Sequence, residues 1–232
     1  MDIKAKKSLG QNFLIDRNIL QVIVDTVDID KKEILEIGPG SGNLTTYILK
    51  NNPKKVYVIE KDKDLSVLLE EKFNSEITII NDDVLKISEN KISKEKLIVF
   101  GNLPYNISTE ILSKWIMGID NNFWFESLVL MFQKEVADRI IAKSNNSKYG
   151  RLSILSDWKL NVKKILDIKP ESFSPRPKID SSLLLFTPKK SFFEIKNAKN
   201  LEMLTRVFFS QRRKMLKKPF NQIFKNPKEV SK

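Results

Sequence analysis

The chain is expected to fold as an α/β protein, a mostly parallel sheet covered by helices and closed by an antiparallel strand, with a small helical segment after it. Three observations lead there. Apolar runs rich in Ile, Leu and Val alternate with helix-like segments from Lys32 to Gln133, which is the βαβ pattern of a parallel sheet. Two later runs, 162–168 and 181–187, have only twelve residues between them, too few for a crossover helix, so they form an antiparallel pair. Beyond Pro188 the pattern turns helical and basic.

Taken in order, the strand-like runs are "EILEIG" (33–38), "KVYVIE" (55–60), "ITIIND" (77–82), "KLIVFGN" (96–102) and "SLVLMFQ" (127–133). Between the first two, "SGNLTTYILKNN" places Leu44 and Ile48 four apart on one helical face. After Asn102, "STEILSKWI" repeats the design with Ile111, Leu112, Trp115 and Ile116. "VKKILDI" and "SSLLLFT" complete the sheet. Leu201, Leu204, Val207 and Phe208 fall at helical spacing in the tail. A boundary near Lys189 gives residues 1–188 as the main domain and 189–232 as a small helical one.

The 232 residues contain no Cys and no His. Disulfides, thiol nucleophiles, zinc sites built on Cys or His, and His general bases are thereby excluded. Any reaction must run on carboxylates, amides, hydroxyls, backbone groups or a cosubstrate that is already activated, and no metal is expected. The net charge is +12, unevenly spread: residues 1–188 hold 28 Lys and Arg against 26 Asp and Glu, the last 44 hold 13 against 3. A polyanion-binding surface is expected there, with a merely solvated tail as the alternative. No stretch approaches a membrane span and the N-terminus lacks a signal-like apolar core, so a soluble, cytoplasmic protein is expected; with no obvious association surface in the sequence, a monomer is expected.

Ligands of open parallel sheets bind beyond the carboxyl ends of the strands, and four such ends carry a signal. The first runs into "EIGPGSG", where Gly38, Gly40 and Gly42 let the backbone approach a ligand, unless this is an ordinary tight turn. The second ends in Glu60, 22 residues after Gly38, near the spacing at which an acid holds a ribose; a solvated acid is the plain alternative. The third ends in "NDDV", where Asp83 can accept from an adenine amine beside apolar Val84, or cap a helix. The fourth ends in "GNLPY". With neither GxGxxG nor a Walker motif, a nucleoside cosubstrate without phosphates fits best, and S-adenosylmethionine is the common one. Its sulfonium methyl is already electrophilic.

The "NLPY" run suits an amine held in line with a methyl group. Asn102 offers its side-chain oxygen and Leu103 its carbonyl as two acceptors. Pro104 keeps Leu103 extended and brings no N–H of its own. Tyr105 offers a face on which a base can stack, worth roughly 1–3 kcal/mol. Two acceptors on one amine favour a pyramidal nitrogen whose lone pair can attack, so no general base is required. A Pro-containing turn is the structural alternative. In "SFSPRPKIDSS", Phe173 is a candidate second wall for a flipped base, with Arg176 and Lys178 nearby, or else a core residue of a rigid turn.

Together, "LGQNFL", "EIGPGSGNLT", "GNLPYNIST", "QKEVADRI", "YGRLSI", "FSPRPKIDSS" and "QRRK" closely resemble the small-subunit ribosomal RNA adenine dimethyltransferases of bacteria and eukaryotes, over about residues 7–224. The resemblance implies a Rossmann-like class I methyltransferase sheet and a helical C-terminal domain. It also implies transfer of four methyl groups from S-adenosylmethionine to the N6 amines of two adjacent adenosines near the 3′ end of small-subunit rRNA, within ribosome maturation. By motif, Asn12, Leu14, Gly38, Glu60, Asp83 and Asn102 are implied cosubstrate contacts, and Asn102, Leu103, Tyr105 and Phe173 the target-base groups. From its residues alone, "QNFL" would instead begin an N-terminal helix. Arg212, Arg213 and Lys214 of "QRRK" join Arg176 and Lys178 as expected RNA contacts.

The macrolide-resistance methyltransferases of the large subunit share a nearly identical motif, usually with Ile in place of Leu103. Leu103, Gly10, "YGRLS" and Asp180 favour the small-subunit group. A non-catalytic ribosome-assembly factor is the other alternative, against which the intact Asn102, Pro104 and Tyr105 argue. The family usually continues with further helices beyond "QRRKMLKKPFNQIF", so the C-terminal domain is expected to be trimmed or the sequence to be shorter than the gene product.

Overall fold

The computed structural model describes residues 5–6, 9–119, 122–210 and 215–224. Its elements are β1 (Phe13–Leu14), α1 (Arg17–Val24), β2 (Glu33–Ile37), α2 (Asn43–Leu49), β3 (Lys55–Ile59), α3 (Lys63–Phe73), β4 (Thr78–Ile80), β5 (Leu97–Asn102), α4 (Ser108–Gly118), β6 (Phe125–Gln133), α5 (Lys134–Ile141), α6 (Arg151–Lys159), β7 (Leu160–Ile168), β8 (Phe173–Ser174), β9 (Ser181–Pro188), α7 (Ala198–Ser210) and α8 (Lys217–Ile223).

Seven strands form one sheet in the order β4-β3-β2-β5-β6-β9-β7. The first five are parallel, and β9 runs antiparallel to both β6 and β7. The expected α/β class and its antiparallel closure are both present. Pleating sends alternate residues to opposite faces: Leu35, Val99, Leu128 and Leu130 pack under α4, α5 and α6, while Ile34, Ile98, Phe100 and Val129 pack under α1, α2 and α3. Because both faces are covered, β2 is buried along its whole length, its two glutamates included.

Helix starts follow local chemistry. Asp16 caps α1 by accepting from the N–H groups of Asn18 and Ile19. Asp62 caps α3 by accepting from Asp64 N, and α3 buries Leu65, Leu69 and Phe73 along one stripe. Beyond Pro188, α7 lies against α6, joined by an ion pair of 2.8 Å between Arg151 and Glu202 and by edge-on packing of Tyr149 on Phe209. Leu201, Leu204, Val207 and Phe208 are half-buried in α7. Among the described residues no helix is long and apolar enough to cross a membrane.

One expectation is overturned near the N-terminus. "QNFL" does not begin a helix; Phe13 and Leu14 form a short strand antiparallel to Phe173 and Ser174. The helix starts only at Arg17, after Asp16 supplies the cap.

Candidate active site

The strand order reverses at β2: β3 and β4 lie on one side, β5 and β6 on the other. A crevice opens at such a switch point, and here it is a cleft of about 1180 Å³ with its open mouth included. Asn12, Leu14, Gly38, Gly40, Glu60, Asp83, Val84, Asn102, Leu103, Pro104 and Tyr105 all line it. Residues from four strand ends and the N-terminal strap therefore meet in one place.

On the β2–β4 side, Gly38, Gly40 and Gly42 all have left-handed backbones. At Gly40 the need is double, since an added Cβ would also stand 2.7 Å from the Phe13 ring. Its N–H donates to Glu60 Oε2 at 3.2 Å, and Asp62 N donates to Glu60 Oε1 at 2.9 Å. Burial pushes the Glu60 carboxyl above its usual range, and these backbone donors oppose that rise. Glu60 thus presents an acceptor edge beside a glycine loop that leaves room for backbone approach. Asp83 caps no helix; Oδ1 accepts from Leu85 N at 3.0 Å in an Asx turn and Oδ2 from Lys61 Nζ at 2.8 Å. The Lys61 bond is the main reason its carboxyl sits below the usual range.

Across the cleft, Asn102 Nδ2 donates to the Asn12 carbonyl at 2.7 Å, which assigns Oδ1 as the side chain's remaining acceptor. Among the described residues no hydrogen bond falls on Asn102 Oδ1 or on the Leu103 carbonyl. The Pro104 carbonyl accepts from the N–H groups of Ile107 and Ser108, which ties this turn to α4. Tyr105 is half-buried.

The N-terminal strap bridges the two sides. Asn43 Nδ2 holds the Leu14 carbonyl at 2.8 Å. Lys6 Nζ donates to Asp62 Oδ1 and Asp64 Oδ2, both at 2.7 Å, and Gln11 Nε2 to Asp62 Oδ2 at 3.0 Å. Burial opposes ionisation of Asp62, but these donors outweigh it and hold the carboxyl below its ordinary value.

Phe173 takes the place of the core alternative. It is 1% exposed, belongs to the core beneath β1 opposite Leu14, and does not line the cleft. Arg176 and Lys178 are exposed on the loop between β8 and β9, outside the cleft lining. Arg212, Arg213 and Lys214 lie outside the described residues.

Sequence reasoning missed Glu36, Asn43, Lys61, Asn106 and Met131, which also line the cleft. Glu36 is 2% exposed and accepts from Thr45 Oγ1 at 2.6 Å. Burial pushes its carboxyl up to about 7 against the Thr45 bond. Its place in the pleat, two residues before Gly38 and so on the same face, was the available signal.

A glycine loop and a strand-end acid are common to nucleotide-binding Rossmann folds, and with the antiparallel β9 inserted between β6 and β7 the sheet is that of a class I methyltransferase. The comparisons with known proteins narrow this. The family model of the ribosomal RNA adenine dimethylases matches residues 2–231. The Ribosomal RNA small subunit methyltransferase A of Pelagibacter ubique is 77% identical over 231 residues, spanning 100% of this chain and 88% of that protein. Among solved structures, a dimethyladenosine transferase from Plasmodium falciparum is 32% identical with a TM-score of 0.77, over 90% of this chain and 74% of that one. The 23S rRNA methyltransferase ErmE is 24% identical with a TM-score of 0.68, over 86% of this chain and 79% of that one, and shares the fold. The chain belongs to the ribosomal RNA adenine dimethylase family and is a methyltransferase enzyme.

Proposed function

We propose that the protein transfers methyl groups from S-adenosylmethionine to the N6 amines of two adjacent adenosines near the 3′ end of small-subunit rRNA, as part of small-subunit maturation. Family membership supports the reaction and the rRNA target. The observation that carries the residue roles is the pairing, in one cleft, of the Asn102 and Leu103 acceptors with the Gly40–Glu60 cradle.

The cradle fits the cosubstrate. Glu60 offers its acceptor edge to the ribose hydroxyls, the Gly38–Gly40 loop allows close backbone approach, and Val84 with Asp83 faces the adenine ring. Asn12 and Leu14 close the strap side. When bound, the cosubstrate would supply an electrophilic methyl group, the electron pair of the broken C–S bond staying on sulfur as a neutral thioether. Asn102 Oδ1 and the Leu103 carbonyl then accept from the N–H groups of the target amine, two for the first methyl and the one remaining for the second, and turn its lone pair toward that methyl. Pro104 holds the carbonyl in place without adding a donor, and Tyr105 stacks on the base. The amine becomes acidic once it is cationic and loses its proton to solvent, so the site requires no histidine and no metal. Arg176, Lys178 and the basic segment after Pro188 approach the RNA backbone, the latter as a small docking domain on a cytoplasmic monomer.

The test is incubation with radiolabelled S-adenosylmethionine and, separately, unmethylated small subunits, large subunits and duplex DNA, followed by nucleoside analysis. Dimethyladenosine in small subunits alone is expected. Label in the large subunit, or none in any substrate, contradicts the proposal.

A further inference from the structure

We propose that Ser181 is a positioning residue for methyl transfer, its buried hydroxyl holding the Tyr105 ring at the angle from which it stacks on the target adenine. This rests on the assignment of Tyr105 as the stacking face. Tyr105 Oη and Ser181 Oγ are 2.6 Å apart. Ser181 is 0% exposed and does not line the cleft, so it acts on the reaction only through Tyr105.

The two partners come from different halves of the sheet. Tyr105 follows β5, a parallel strand; Ser181 opens β9, the antiparallel one, in register with Gln133 of β6 and Ile168 of β7. Its neighbours are fixed as well. The Asp180 carbonyl accepts from Lys134 N at 2.9 Å, the Asp180 carboxylate from Lys169 Nζ at 2.9 Å, and Ser182 Oγ donates to Asp167 Oδ1 at 2.6 Å. Ser181 is therefore a rigid post. A tyrosine held only at its Cα keeps two rotatable side-chain bonds, and an anchor at the far end of the ring removes that freedom. Stacking alone needs no hydroxyl, because a phenylalanine ring presents the same kind of face. Burial pushes the Tyr105 phenol above its ordinary value, so the pair stays neutral at working pH.

The test compares Ser181→Ala, Tyr105→Phe, the double variant, Ser181→Thr and Tyr105→Ala. Single-turnover transfer to unmethylated small subunits, S-adenosylmethionine affinity and Tm are measured for each. Ser181→Ala and Tyr105→Phe are each expected to slow transfer about tenfold, the scale of one buried hydroxyl losing its partner, with cosubstrate affinity unchanged. The double variant is expected to be no slower than the slower single one, and Ser181→Thr to restore the rate. If Tyr105→Ala transfers normally, the stacking assignment fails. If Tyr105→Ala is slow while Ser181→Ala and Tyr105→Phe match the wild type, stacking stands and positioning by Ser181 is overturned. Independent, multiplying losses in the double variant overturn it too. Should Ser181→Ala fail to fold, Tyr105→Phe decides by the same criterion.

Discussion

The two sides of the cleft are built by different means. On the β2–β4 side, the polar groups are held mainly by nearby chain: Glu60 by the N–H groups of Gly40 and Asp62, and Asp83 by that of Leu85 together with the Lys61 side chain. On the β5 side, the acceptors sit in one short turn that backbone bonds to the Pro104 carbonyl tie to α4, and its side chains reach distant chain, Asn102 to the strap and Tyr105 to β9. The difference suits the tasks. In the proposed roles, the cosubstrate is met by a cradle held by neighbouring chain, and the base that enters from RNA by a turn whose side chains are set by a few long-range bonds.

Substitutions on the two sides should therefore fail differently. Asn102→Ala is expected to have the largest effect, slowing transfer about a hundredfold or more, the scale for loss of one directed polar group at a reacting centre. Particle binding, measured by filter retention, is expected to persist; equal loss of both would erase the division. Glu60→Gln should come next, weakening cosubstrate affinity about tenfold through loss of charged acceptors, with little change in particle binding.

Charge reversal of Arg176 and Lys178 together should weaken particle binding and lower the slope of log affinity against log salt by about two. An unchanged slope would leave these residues as a solvated loop. Smallest of all is Glu36→Gln, which should alter stability rather than recognition. Its carboxyl is pushed up to about 7 from 4.5, so its contribution is fully present below the ordinary value and is lost as pH rises through about 7. Tm of the wild type should fall relative to Glu36→Gln across that window, the amide still accepting from Thr45. A constant difference would show that Glu36 does not titrate there.

Strand ends were legible because parallel strands covered on both faces are written as apolar runs, and the polar or glycine residue that stops each run is the residue that reaches the crevice. That logic found Gly38, Gly40, Glu60, Asp83 and Asn102, all of which line the cleft. It failed where placement depends on distant chain. Phe13 and Leu14 form a strand only because Ser174 and Phe173 lie beside them, and no local pattern encodes that pairing. The same contact buries Phe173. The sequence offers Asp83 as an acceptor for an adenine amine or as a helix cap; it does not show that Lys61, just past the end of β3, takes one of its oxygens. The Tyr105–Ser181 bond spans 76 positions and leaves no periodic trace.

The division of labour is tested most directly by calorimetric titration of S-adenosylmethionine into Glu60→Gln and Tyr105→Ala, side by side with the wild type. Affinity is expected to fall in Glu60→Gln and to be unchanged in Tyr105→Ala. Weaker binding in Tyr105→Ala with normal binding in Glu60→Gln would contradict the assignment of the two sides.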